Sequence, residues 1–146
     1  MEFLNKKATI VFGELLNRLD EGYVKIYNDP YMPLTMENIG WNIETPWEQR
    51  ADLFSLCHYY EQNGDLMQDP EMCFLVIDNR GEFKADFDKL KIAPFMFQQA
   101  NLGIYQESAI IENSKLTKFR RKQQSDHTDF ANGWLLNIRE QGFLNK

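Results

Sequence analysis

His58, Glu61, Asp65, Asp69 and Glu71 crowd an imidazole and carboxylates into one stretch, HYYEQNGDLMQDPEMCF at residues 58–74. These are the side-chain types that bind metals or move protons. A metal site needs several of them aimed at one point, and known motifs achieve this by rhythm. H-E-x-x-H projects two imidazoles from one helical face, and the calcium loop alternates acidic ligands around a fixed glycine. Neither rhythm is present, so no residue is assigned as a metal ligand or as catalytic. The stretch reads as two strands joined by a polar, acidic, solvent-facing loop, with a small metal- or ligand-binding domain or a metal-dependent enzyme built on the His58–Glu71 loop as the alternative.

For nucleophilic chemistry the sequence offers Cys57, Cys73, His58 and His127. Neighbours on a strand point to opposite faces, so Cys57 and His58 should not pair. Cys73 opposite His58 across a hairpin is the one arrangement left open, yet neither residue sits in a Gly-rich or helix-start setting that would activate a thiol. Two cysteines are too few for a disulfide framework; in apolar runs they act as small hydrophobes, with a hairpin bridge as the alternative. The P-loop and dinucleotide fingerprints are absent, and no cofactor is expected.

Tyr59, Tyr60 and Tyr105, with Gln106 and Glu107, offer rigid aromatic faces with polar tips, the chemistry of recognition surfaces. The expected binding residues are His58, Tyr59, Tyr60, Glu61, Asn63, Asp65, Asp69, Glu71, Tyr105 and Gln106. A net charge of −6 and a pI near 4.9 oppose direct binding to a nucleic-acid backbone, which depends on Lys and Arg releasing counterions. A protein partner is expected, and the oligomeric state stays open. Lys115, Lys118, Arg120, Arg121 and Lys122 form a local basic run, read as a solvated loop or helix approach, with a docking patch for an acidic surface as the alternative.

The elements that must position these residues follow from length and pattern. A chain of 146 residues with 43% hydrophobic and 14% aromatic content can bury a core despite a mean hydropathy of −0.53, and it reads as one domain over 1–146. No apolar stretch approaches a membrane span and no leader pattern opens the chain, so a cytoplasmic protein is expected. Residues 8–19 have helical spacing. Tyr23–Tyr27 and Leu34–Glu37 form a hairpin around Asn28-Asp29-Pro30. Asn38–Asp52 lacks a period and reads as a loop carrying Trp41 and Trp47.

Strands are expected at Leu53–Tyr60, Met72–Ile77, Glu82–Phe87, Ile92–Phe97, Gly103–Ile111 and Leu116–Phe119. Ser125 or Asp126 caps a last helix in which Phe130, Trp134, Leu135, Ile138 and Phe143 recur, and Gly142 ends it. The fold class is α+β: an antiparallel, meandering sheet flanked by an N-terminal and a C-terminal helix packed on one face.

The segments GYVKIYNDPYMPL (22–34), HYYEQNGDLMQDPEMCF (58–74), LGIYQES (102–108) and the Trp-bearing last helix with QGF (141–143) resemble an uncharacterised family, a domain of unknown function encoded on phages, plasmids and conjugative elements of gut-type bacteria. The chain departs from the family pattern at Asn42–Asp52 and at PFMFQQANLG (94–103), where an Arg-Gln-Asp-type segment is expected. The resemblance implies a non-enzymatic, protein-binding accessory protein of a mobile genetic element, such as an anti-CRISPR or other inhibitor of a host defence nuclease.

Overall fold

A computed structural model describes all residues, Met1–Lys146. Ala8, Val11, Phe12 and Leu15 recur at three- and four-residue spacing and are fully buried, which makes Lys6–Leu16 an amphipathic helix, α1. The Asn5 side chain caps it by accepting the Ala8 N–H at 2.9 Å. The strands are β1 (Tyr23–Asn28), β2 (Tyr31–Glu44), β3 (Arg50–Gln62), β4 (Asp65–Asp78), β5 (Leu90–Gln99), β6 (Ile104–Glu107), β7 (Ala109–Glu112) and β8 (Lys115–Phe119); helix α2 (Arg121–Glu140) follows.

The strands form one eight-stranded sheet in the order β6-β5-β4-β3-β2-β8-β7, with β1 paired to β2. All pairings are antiparallel except the bridge between Glu44 of β2 and Lys115 of β8. Because side chains alternate across a strand, the central strands β2–β5 feed two cores. Leu34, Met36, Phe54, Leu56, Met72, Phe74 and Ile92 face the helices and meet Phe12, Leu15, Trp134, Leu135 and Ile138. Both helices thus lie on one face, the expected α+β arrangement. Leu53, Leu75 and Ile77 point the other way and join Ile43, Ala51, Ala109 and Leu116 in a smaller second core.

Ser108 closes the sheet around that second core. Its N–H donates to the Phe95 carbonyl of β5 at 2.9 Å, and its carbonyl accepts the Arg120 N–H just beyond β8 at 2.7 Å. The run β6–β7 therefore pairs with β5 before Ser108 and with β8 after it, while β8 returns to β2.

Several expectations are corrected. The loop expected at Asn38–Asp52 is mostly strand. Register shifts at Asn38/Gly40 and Gly40/Ile43 break the alternation that would have revealed it. Glu82–Phe87 is not a strand, because both edges of β4 are already taken by β3 and β5. Its Phe87 instead packs on Gly13 of α1, where a Cβ would stand 2.4 Å from the ring. Gly103–Ile111 is two strands broken at Ser108, and α2 begins at Arg121 rather than at Ser125 or Asp126. The basic run is therefore β8 and the first turn of α2. Gly142, at φ 90°, ends the last helix as expected, and Phe143 lies beyond it in a 3-10 turn.

Candidate functional site

The half of the sheet opposite the helices that the second core leaves bare is the candidate site. Register sets two rows across it. Lys25, Thr35, Cys57, Glu71, Gln98 and Tyr105 are successive cross-strand partners, and beside them run Tyr23, Glu37, Ser55, Cys73, Met96 and Glu107. The middle of the surface is sunken, with Ser55, Cys57 and Cys73 buried, while the flanks rise to exposed Tyr23, Tyr27 and Tyr105.

Glu71 lies half-buried at its centre. One carboxylate oxygen accepts from Ser55 Oγ at 2.5 Å and the other from Gln98 Nε2 at 2.6 Å. The two thiols beside it are inert: burial first, then the Glu71 charge, pushes Cys57 well above the ordinary thiol range and Cys73 up to about 12. Cys57 opposes Glu71 and Cys73 opposes Ser55, both as free thiols. At the flank, Lys25 Nζ stands 4.9 Å from the Tyr59 ring centre and 5.1 Å from that of Tyr27. Those tyrosines, Tyr59 first, raise the Lys25 pKa. At the far flank the Tyr105 hydroxyl donates to Glu107 at 3.0 Å; burial and then that bond raise its pKa.

The chain has three ion pairs, Asp78–Arg80, Asp86–Lys89 and Asp126–Lys122, so the carboxylates of Glu37, Glu71, Asp69 and Glu107 have no cation partner. The Thr35 hydroxyl oxygen, in the same row as Glu71, is shut off from solvent with no hydrogen-bond partner. An orphaned buried hydroxyl costs about 1–3 kcal/mol, so Thr35→Val, which keeps the β-branched shape, is expected to stabilise the fold by about 1 kcal/mol in urea denaturation.

The expected binding residues divide between this surface and other places. Tyr59, Glu71 and Tyr105 belong to the uncovered face, and half-buried Asp69 accepts Gln99 Nε2 at 2.9 Å. Glu61, Asn63 and Asp65 are exposed at the tip of the β3–β4 hairpin, where Asn63 and Gly64 take φ of 53° and 84° as a tight two-residue turn requires. The expected strands on either side of the turn therefore run further than expected, to Gln62 and from Asp65, leaving only Asn63 and Gly64 as the loop between them. Half-buried Tyr60 faces away from its neighbour Tyr59, opposite Met67.

His58 lies on the helix side and is buried. Its Nδ1–H donates to the Met32 carbonyl at 3.0 Å, and its ring packs 5.3 Å from Phe143. Burial lowers its pKa, partly offset by the Pro33 and Met32 carbonyls and by Asp69. The Cys73–His58 pairing is thereby excluded, the two residues being on opposite faces of the sheet. Gln106 also turns to the helix side, where its Oε1 accepts from His127 Nε2 at 3.0 Å. His127 Nδ1 meets Ser108 Oγ at 2.8 Å, but Ser108 is fully buried, which removes it as a nucleophile. Nowhere do three His, Cys, Asp or Glu side chains converge on a point where a metal could bind. A cavity of about 510 Å³ lies between α1 and the 85–90 segment, lined by Leu4, Lys6, Ile10, Phe87 and Asp88, and none of the expected binding residues reaches it.

Residues 6–144 match the model of a family described as a domain of unknown function, DUF6908. The chain belongs to that family. No curated protein and no solved structure matches it. The DUF6908 match spans both helices and all eight strands, so the two-row surface lies wholly within it. No helix is long and apolar enough to cross a membrane.

Sequence reasoning missed Lys25, Thr35, Glu37, Ser55 and Gln98 as members of the DUF6908 surface. The available signal was the two-residue alternation Ser55-Cys57-Tyr59 against Phe54-Leu56-His58, with Glu71-Cys73 as its partner on the next strand.

Proposed function

We propose that this chain is a non-enzymatic binding protein that docks a basic protein partner on its uncovered sheet face. The observation that carries the reading is a sunken surface rimmed by exposed tyrosines whose carboxylates have no cation of their own chain to neutralise them. Tyrosines supply large contact areas at low entropic cost, and unpaired carboxylates steer and select a partner rich in Lys and Arg. The buried thiols and the sealed Ser108–His127 pair give that surface no nucleophile.

The mobile-element setting that the family resemblance implies narrows the partner to the nucleic-acid-binding surface of a host defence nuclease. Its groove of Lys and Arg is complementary to this face, and a protein seated there would block nucleic acid by competition.

The test is a paired pull-down from host lysate, with the natural chain and a Glu37→Lys/Glu107→Lys variant as baits. The expected result is a basic protein held at low salt, released at high salt, displaced by added nucleic acid, and absent from the variant bait. Identical captures by both baits would remove the reading.

A further inference from the structure

We propose that Glu71 is the anchor of this face, the seat of one arginine side chain of the docked partner; the proposal rests on the docking reading above. Four features single it out from the other carboxylates. It lies at the centre of the uncovered surface, in the row running from Lys25 to Tyr105, whereas Glu37 and Glu107 are on its exposed flanks. Both of its oxygens are fixed, one by Ser55 Oγ at 2.5 Å and the other by Gln98 Nε2 at 2.6 Å. A carboxylate oxygen accepts more than one hydrogen bond, so each keeps a lone pair free, and the two together make an aligned fork already held in place.

The third feature is the absence of an internal counter-ion. The one lysine of these rows, Lys25, is three strands away, about 14 Å by strand spacing, and it is committed to the rings of Tyr59 and Tyr27. The fourth is the wall around the carboxylate. Cys57 stands directly opposite on β3, and Tyr105, 60% exposed as a residue, lies next to Gln98 on β6. Thiols this inert give Glu71 neither a charge nor a strong donor.

A guanidinium answers all four. Its planar fork of N–H donors matches two carboxylate oxygens at once, and its flat face stacks on an exposed tyrosine. A lysine ammonium would supply the charge without the fork, so it should bind here more weakly. A metal ion would need further ligands, and none converge.

The probes are two fluorescent peptides of equal length and charge, one carrying arginines and one lysines, titrated into the full chain. The natural chain is expected to bind the arginine peptide several-fold tighter than the lysine peptide. Glu71→Gln keeps the shape and an acceptor but removes the charge and the second fork oxygen. It is expected to weaken arginine-peptide binding about tenfold and to erase the preference for arginine. Glu61→Gln and Asp65→Asn at the hairpin tip should change it less than about twofold. A measurement on the unmutated chain guards against misfolding of the variant: the Gln98 side-chain amide signals should shift saturably as arginine peptide is added.

Unchanged affinity in Glu71→Gln with a loss in Glu37→Gln/Glu107→Gln would overturn the anchor and leave the docking face standing. Equal affinity for the two peptides, or Gln98 signals that stay still while peptide binds, would also overturn it. Failure of the arginine peptide to bind at all, beside a positive pull-down, removes Glu71 as the anchor without touching the docking reading.

Discussion

Replacing Phe74 by alanine is expected to remove about 3–5 kcal/mol of stability, the cost of emptying a large aromatic site in a tightly packed core. Phe74 is fully buried on β4, with β3 and β5 on either side, and its ring meets that of Phe12 edge-on with centres 4.8 Å apart. That contact joins the sheet to α1, so the cavity would open where the two layers meet and neither layer could close it alone. For a chain of this size the loss corresponds to a melting point lower by about 10–16 °C. Phe83→Ala is the control. Phe83 is 70% exposed in the segment after β4, and its truncation should stay within about 0.5 kcal/mol. Urea denaturation of the two variants beside the natural chain checks both, and a Phe74→Ala loss below about 1 kcal/mol would mean that the helix–sheet interface is looser than its geometry implies.

These two phenylalanines also mark what the sequence could and could not reveal. Met72–Ile77 is recognisable as a strand because both its faces are buried, giving a short continuous apolar run flanked by Asp69-Pro70 and Asp78-Asn79. Phe83, Ala85 and Phe87 imitate a partner strand equally well, since alternation is a local property. What excludes that strand is tertiary: β5, which begins more than ten residues after β4 ends, already occupies the edge of β4. The tight turn at Asn63-Gly64 was legible for a local reason, the left-handed backbone those residue types tolerate.

The candidate surface was legible only in pieces for the same physical cause. Tyr59, Glu71 and Tyr105 stand out by type, but what makes them one surface is register between strands distant in sequence. Within FSLCHYY each phase of the alternation mixes apolar or aromatic residues with one polar one, Ser55 in one and His58 in the other, so the signal is weak and becomes readable only beside its partner Glu71-Cys73 on the next strand. His58 was drawn into the expected site by its chemistry, and the phase that puts Leu56 in the main core carries His58 to the same side. Ser108 gave no local signal at all, because closing the sheet is a job for its backbone.

Two parts of the fold are sensitive to acid, that closure through His127 and the helix side of the sheet through His58. The imidazoles of His58 and His127 are both buried, and burial holds both below the ordinary value of about 6.5. Only Asp126 offsets the shift at His127. A basic group with a depressed folded-state pKa is neutral in both states above the unfolded value. Below it, the unfolded chain takes up the proton first. Stability is therefore expected to be fully present above about pH 6.5, to fall as the pH drops below that, and to level off beneath the folded-state pKa values. The slope approaches about 1.4 kcal/mol per pH unit for each histidine.

At His127 the chemistry fixes the site of damage. The Gln106 oxygen can only accept, so Nε2 carries the proton and Nδ1 accepts from the Ser108 hydroxyl. A second proton on Nδ1 turns that acceptor into a donor: the Ser108 hydroxyl can rotate to accept it, but its own proton then loses the imidazole as partner and a positive charge is left buried beside the residue that closes the sheet. Urea midpoints measured from about pH 7.5 to pH 5 should show the decline. His127→Gln and His58→Gln should each flatten it by one proton's worth, and amide exchange at Ser108 and Arg120 should quicken before that of the β4 core. A flat profile over that range in the natural chain would mean that neither imidazole needs to stay neutral for the fold to keep its stability.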